Sequence, residues 1–306
     1  MRGGRVYLLV AAAVIGLSTG GLWLTLPRLA VWFSSPSDWP PVPIPSVTSE
    51  CFDESGDPPW SFCLNRTAES DPSRLLFHLH GRRGNHHWWN DQEYYTGELY
   101  RHWERGDVAA PTVASISYGP LWLLKNTSTP TNLIQHFVET VMPTVMARLP
   151  APVTETSVVG ESMGGLNALM LAAFAGDRFD RAAILCAPIP TSSPYDLGES
   201  FVAARESGVS LTRAFMLLSF GRYFFADHDD WLRNDPIARL SSSRSSVPRV
   251  YLTCGRRDDW GCMRGSRLVA EAIRARSGAL TWVPRPGGHC DVDAEGLAEF
   301  LAEPTP

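Results

Sequence analysis

Lysine is almost missing from this 306-residue chain: of its 27 basic residues, only Lys125 is not an arginine. Schiff-base chemistry and a Walker-type phosphate loop both need a placed lysine, and Lys125 sits in no glycine-rich loop. Both classes are excluded. A basic excess is missing too, because the formal net charge is −5. The first 30 residues hold three arginines and no carboxylate, so the remainder carries 24 basic against 32 acidic residues. No nucleic-acid partner is expected for such a surface. There is no C-x-x-C pair, no internal repeat, and no low-complexity run beyond the serines of 241–246. His78 and His80 with His86 and His87 suggest metal ligands. However, an H-x-H-x-D-H site needs an aspartate and a histidine where Arg82 and Arg83 stand, so no metal is expected.

What is present is ordinary globular material, 44% apolar and 19% charged. That length can bury a large core, as one α/β domain or two small ones. At the N-terminus, Arg2 and Arg5 precede an uncharged run from Val6 to Leu26, closed by Pro27 and Arg28. At about 1.5 Å per residue this run matches the roughly 30 Å of a bilayer core. Residues 1–30 are therefore expected to be a membrane anchor or, if cleaved, a signal peptide. The positive flank would leave the rest of the chain outside the cytoplasm. Residues 31–45, rich in Pro and Ser, read as an extended spacer.

Six cysteines (Cys51, Cys63, Cys186, Cys254, Cys262 and Cys290) suit the oxidising side of a membrane and allow up to three disulfides. Cys51 and Cys63 flank turn material, which favours a bridge across a hairpin. One bridge is expected among Cys254, Cys262 and Cys290, with Cys186 as the partner of the remaining one.

Over 46–306 the pattern alternates strand and helix. Apolar runs at Leu75–His80, Val113–Tyr118, Ser157–Gly160, Ala182–Ala187, Val250–Cys254 and Leu280–Val283 read as buried strands. Helical patterns lie at Asn132–Leu149, Met163–Phe174, Met263–Arg276 and Ala294–Ala302. Such alternation predicts an α/β fold, with a mostly parallel central sheet and right-handed crossovers. Residues 188–246 break the rhythm and read as a helical, cap-like insertion.

The chemistry gathers around Gly160-Glu161-Ser162-Met163-Gly164, a G-x-S-x-G turn between a valine-bearing strand and an apolar helix. In such a tight turn a Cβ on either flank would clash, and the serine is presented at the apex with strained dihedrals. A serine hydroxyl needs a base and an orienter for that base. Both follow in the order Ser, acid, His, each on a loop just past a strand end. Asp258 closes a G-x-x-D reach, with Asp259 the alternative, and His289 follows two glycines. A tetrahedral intermediate would need N–H donors. Met163 offers one amide and Arg82, in the loop after an early strand, the other; the Arg82 side chain is expected to point into solvent. His80 and Gly81 would support that loop and, with Trp88 and Trp89, could line a substrate pocket beside it.

In these residues the chain resembles the α/β-hydrolase esterases. The resemblance rests on His80-Gly81-x-x-Gly84-Asn85, the Gly160–Gly165 motif, the Asp258 loop and Gly288-His289, and covers roughly Val47 to Ala302. The group containing S-formylglutathione hydrolases, feruloyl esterases and mycolyltransferases is the most similar branch. It implies an α/β-hydrolase fold with helices on both faces of the sheet, a Ser-His-Asp mechanism, and no metal or organic cofactor. The expected activity is hydrolysis of a small-molecule, lipid or glycan ester through an acyl-enzyme. Acyl transfer to an alcohol or sugar and a non-catalytic binding module are the alternatives.

Overall fold

The computed structural model describes residues 19–37, 40–106, 108–127, 131–242 and 246–303. The first helix, α1, spans Thr19–Phe33. The apolar run expected to be a membrane anchor lies mostly in residues 1–18, outside the described ones. Among the described residues no helix is long and apolar enough to cross a membrane. Residues 40–45 belong to the stretch expected as an extended spacer. This segment is strapped to the domain: Ile44 is buried, its amide donates to Asn90 Oδ1 (2.8 Å), and the Gln92 amide donates to the Val42 carbonyl (2.8 Å). Pro-rich chain lacks amides for a sheet ladder, so side chains and loop carbonyls of the domain hold it instead.

A hairpin follows, β1 (Thr48–Glu54) and β2 (Trp60–Arg66), with Cys51 directly opposite Cys63 and the two joined in a disulfide. The hairpin-crossing bridge is as expected. Next come β3 (Asp71–Leu79), α2 (Tyr95–Arg105) and β4 (Pro111–Ser117). The helix expected over Asn132–Leu149 is interrupted. It begins as α3 (Leu133–His136), widens into a π turn over Phe137–Val141, and ends as α4 (Met142–Met146), which carries Pro143 in its first turn. Proline lacks the N–H that a regular helix would use there, and a local widening absorbs the mismatch.

The remaining crossovers are β5 (Glu155–Glu161), α5 (Met163–Phe174) and β6 (Arg181–Leu185). Then come four helices, α6 (Leu197–Glu206), α7 (Leu211–Phe224), α8 (His228–Arg233) and α9 (Pro236–Ser242). The chain closes with β7 (Arg249–Gly255), α10 (Cys262–Ala275), β8 (Leu280–Arg285) and α11 (Ala294–Ala302). Among the described residues the strands form one sheet in the order β1-β2-β4-β3-β5-β6-β7-β8. Every pairing from β4 to β8 is parallel, whereas β1 with β2 and β2 with β4 pair antiparallel.

Alternation along the strands sorts side chains to two faces. Phe77, Val158 and Ile184 meet α5 and α10 on one face; Leu76, Val159 and Ala183 meet α2 and α11 on the other. Helix α5 is buried from Met163 to Ala173, as its all-round apolar sequence requires. Lys125, the lone lysine, donates to Asp230 Oδ2 (2.9 Å) and so ties the loop after β4 to α8.

Candidate active site

The sheet brings the carboxyl ends of β3, β5, β6, β7 and β8 to one rim, and the loops leaving those ends carry the chemistry. Ser162 sits between β5 and α5 at φ 55° and ψ −115°, a left-handed conformation that costs a non-glycine residue energy. The turn is held by the Ser162 amide donating to the Leu185 carbonyl (2.9 Å). A Cβ on Gly164 would overlap the Leu79 carbonyl, and one on Gly160 would overlap Gly164 itself. The motif's glycines are therefore dictated by the approach of two strands and a helix.

His289 Nε2 lies 2.9 Å from Ser162 Oγ, and His289 Nδ1 donates to Asp258 Oδ2 (2.7 Å). The Asp258 side chain is out of contact with solvent, and its other oxygen accepts from the Trp260 amide (2.8 Å). Burial pushes the Asp258 carboxyl up. The hydrogen bond and charge of His289, with the Trp260 amide, outweigh it and hold the group below the ordinary carboxylate range. Asp259 points away, pairs with Arg213, and is half-exposed. The ring of His289 therefore meets Asp258 and not its neighbour.

The loop after β3 is tied down from several directions. Glu161, the variable residue of the motif, is buried; its carboxylate accepts from the Gly81 amide (2.6 Å), Tyr95 Oη (3.1 Å) and His78 Nε2 (3.1 Å). The sequence alone assigned Glu161 no role beyond its place in the motif. The available signal was a carboxylate inside an otherwise apolar strand end, which must find donors to stay buried. The expectation that Arg82 points into solvent is corrected. Its guanidinium is half-buried, donates to the Phe33 carbonyl at the end of α1, and lies 5.3 Å from the Phe220 ring and 5.8 Å from that of Trp260. Helix-end carbonyls lack intrahelical donors, and a cation satisfies them. Arg83 Nε likewise donates to the Ser35 carbonyl (2.9 Å).

Gly81, Arg82, Trp88, Ser162, Met163 and His289 all line one cavity of about 450 Å³. Two expected pocket residues are placed elsewhere. Trp89 is fully buried behind the sheet, where its indole N–H donates to Tyr100 Oη (2.9 Å). His80 is fully buried under the loop. Its Nδ1 donates to the Gly81 carbonyl (2.8 Å), and its Nε2 accepts from Ser117 Oγ (2.9 Å) and Trp122 Nε1 (3.3 Å). Both rings are fully buried with their nitrogens committed to partners inside the domain, so neither reaches the cavity.

Those His80 contacts need a neutral ring, and burial chiefly lowers its pKa from 6.5 to about 4. The folded chain thus binds fewer protons than the unfolded chain between those values. The stabilisation is complete above pH 6.5 and is lost as pH falls through about 4. Melting temperature is expected to drop over that window, with up to about 3 kcal/mol at stake. His80→Gln should flatten the Tm–pH slope, leaving contributions such as that of His86; an unchanged slope would remove His80 from the account.

Of the expected bridges around the acid loop, Cys186 pairs with Cys290. A third bridge does not form: Cys254 and Cys262 are buried free thiols. Cys262 Sγ instead donates to the Cys186 carbonyl (3.2 Å) and lies 3.8 Å from His289 Nδ1, while Cys254 Sγ donates to the Gly255 carbonyl (3.5 Å). Burial pushes the Cys262 thiol well up, which keeps it protonated and unreactive.

A nucleophile turn of this kind, on a mostly parallel sheet with helices on both faces, defines a serine hydrolase of the α/β-hydrolase fold. The Esterase family model, described as "Putative esterase", matches residues 124–283, and the chain belongs to that family. No curated protein matches the chain in sequence. Among solved structures it is similar to a ferulic acid esterase at 16% identity, covering 84% of this chain and 98% of that one with a TM-score of 0.57. It is also similar to S-formylglutathione hydrolase (FrmB) of Staphylococcus aureus, at 14% identity, 84% and 99% coverage, and a TM-score of 0.56. The fluorophosphonate-binding serine hydrolase FphF of Staphylococcus aureus gives 14%, 84% and 99%, and 0.59. At these identities the likeness is one of fold.

Proposed function

We propose that the chain hydrolyses a carboxylic ester through an acyl-enzyme on Ser162, with His289 as general base and Asp258 as its orienter. The observation that carries this reading is the hydrogen-bonded series from Ser162 Oγ through His289 to Asp258 at the wall of an apolar cavity. Ser162 Oγ gives its proton to His289 Nε2 and bonds to the acyl carbon. The carbonyl electrons move onto oxygen, which accepts hydrogen bonds from the Met163 and Arg82 amides. On collapse the ester C–O bond breaks, and the alcohol leaves with the proton from His289. Water then repeats the sequence in reverse roles, releasing the acid and restoring Ser162. Asp258, held as a carboxylate, keeps Nδ1 protonated, so Nε2 is the nitrogen that takes the proton and returns it.

A fluorophosphonate probe tests this reading directly. It is expected to label the protein at neutral pH, on the peptide that carries Ser162, with loss of hydrolysis of p-nitrophenyl acetate. An unlabelled protein, or a label on any other residue, would overturn it. The two bridges further support an exported chain, because such bonds persist on the oxidising side of a membrane.

A further inference from the structure

The cavity beside Ser162 is much larger than an acetyl group needs, and its far side is built by the helices of 188–246. We propose that this far side is an acyl-chain subsite, taking an unbranched aliphatic acyl group of about eight to twelve carbons. The proposal rests on the reading of Ser162 as the nucleophile.

Three observations support it. The wall beyond the nucleophile is made of Ile189, Val209, Leu217, Leu218, Phe224 and Phe225, contributed by the residues after β6, by α7 and by its flanks. Its serine hydroxyls are already committed: Ser200 Oγ donates to the Ser193 carbonyl (2.9 Å), Ser207 Oγ to the Ala203 carbonyl (2.7 Å) and Ser192 Oγ to Ser200 Oγ (3.4 Å). A phenolic or sugar hydroxyl pushed to that depth would find no donor among these serines and would lose its water; an alkyl chain loses nothing. The charged and titratable lining gathers instead at the catalytic end, in Arg82, Glu161 and His289 beside Ser162. Size agrees as well. The cavity measures about 450 Å³. A methylene fills about the ~30 Å³ of a water molecule, so a chain of roughly ten carbons fits with space left for the ester group.

Helix α7 can serve as a fixed wall because it is held from behind. Helix α1 packs along it, with Leu26 and Ala30 fully buried, and the Arg82 guanidinium lies over Phe220 of α7. Chain length is then read by where the acyl group meets this wall.

The test uses the full chain and p-nitrophenyl esters from two to sixteen carbons. kcat/KM is expected to rise about three- to fourfold per added methylene up to a maximum near eight to twelve carbons, and then to fall. Leu218→Trp should lower the ten-carbon to two-carbon ratio of kcat/KM at least tenfold, and Ala214→Val should lower it less. Val202→Ala, on the exposed side of α6 and outside the cavity, should leave the ratio unchanged. A flat chain-length profile, preference for a hydroxycinnamoyl ester, or a Leu218→Trp variant that slows all esters equally would overturn the proposal. Calorimetry with decanoate separates this outcome from failure of the catalytic reading. Binding to wild type and not to Leu218→Trp supports the subsite even where no ester is cleaved and no probe reacts. Absence of decanoate binding to a protein that does react with the probe sinks the subsite and spares the nucleophile.

Discussion

Asp258→Asn is expected to lower kcat by about 10³–10⁴-fold, whereas Asp259→Asn should change it less than twofold. The two carboxylates are adjacent in sequence and opposite in environment. Asp258 is buried, accepts from the His289 ring and the Trp260 amide, and stays ionised despite its burial. Asparagine keeps the shape but offers its N–H₂ or a weaker acceptor to Nδ1. The ring then loses the partner that fixes its tautomer, and Nε2 no longer waits as an acceptor beside Ser162 Oγ. Asp259 pairs with Arg213 on the surface, a contact worth at most a few tenths of a kcal/mol after screening. The loss at Asp258 should fall on kcat and leave KM nearly unmoved, because the carboxylate touches no substrate. Steady-state kinetics on both variants decide the matter. Equal losses, or a larger loss at Asp259, would reassign the orienter.

Much of this site was legible in sequence because steric rules leave few options. Only glycine fits where Gly160 and Gly164 approach each other and the Leu79 carbonyl, so the nucleophile turn could be read from five letters. Strand ends could be read from where valine and leucine runs stop, which places Ser162, Asp258 and His289 on one rim. The companions of the site were harder to read. Glu161 matters through three donors that come from residues 78, 81 and 95, and no local spacing announces that convergence. Arg82 turns inward because α1 ends beside it, a tertiary event that a lone arginine in a loop does not signal. Helix α2 was missed altogether: its buried Leu99, Tyr100 and Trp103 form a short stripe amid polar residues, and no good side-chain cap opens it.

The cysteines show the same division. Cys51 and Cys63 flank a turn, so spacing alone brings them opposite one another. Cys254, Cys262 and Cys290 all lie near the acid and histidine loops, and which of them can bond depends on Cβ directions that spacing does not encode. The sixth cysteine, Cys186, follows β6 with a left-handed φ of 44°, and Cys290 follows His289 with a φ of 56°. Their bond joins the end of one strand to the residue after the catalytic candidate, across 104 residues of sequence.

Removing that bond is expected to cost both stability and turnover. In protein isolated from its host, alkylation without reductant should modify at most two cysteines after unfolding; six would place the chain in a reducing compartment. The Cys186→Ser/Cys290→Ser pair should then lose about 2–4 kcal/mol of stability, because the unfolded chain regains the freedom of a very long loop. A size near the top of that range is expected, since the closed loop is long. Turnover should fall as well, by about tenfold or more. His289 is held on one side by Asp258 and on the other by its neighbour's bond to β6, and a displacement of about 1 Å in a catalytic group costs on the order of 10²-fold. The Cys51→Ser/Cys63→Ser pair provides the contrast: it frees a 12-residue separation on an edge hairpin away from the cavity, so it should lower Tm and leave kcat within about twofold. Thermal melts and kinetics on the two double variants check both halves. If both lower Tm alike and neither changes kcat, Cys186–Cys290 stabilises the fold without positioning His289.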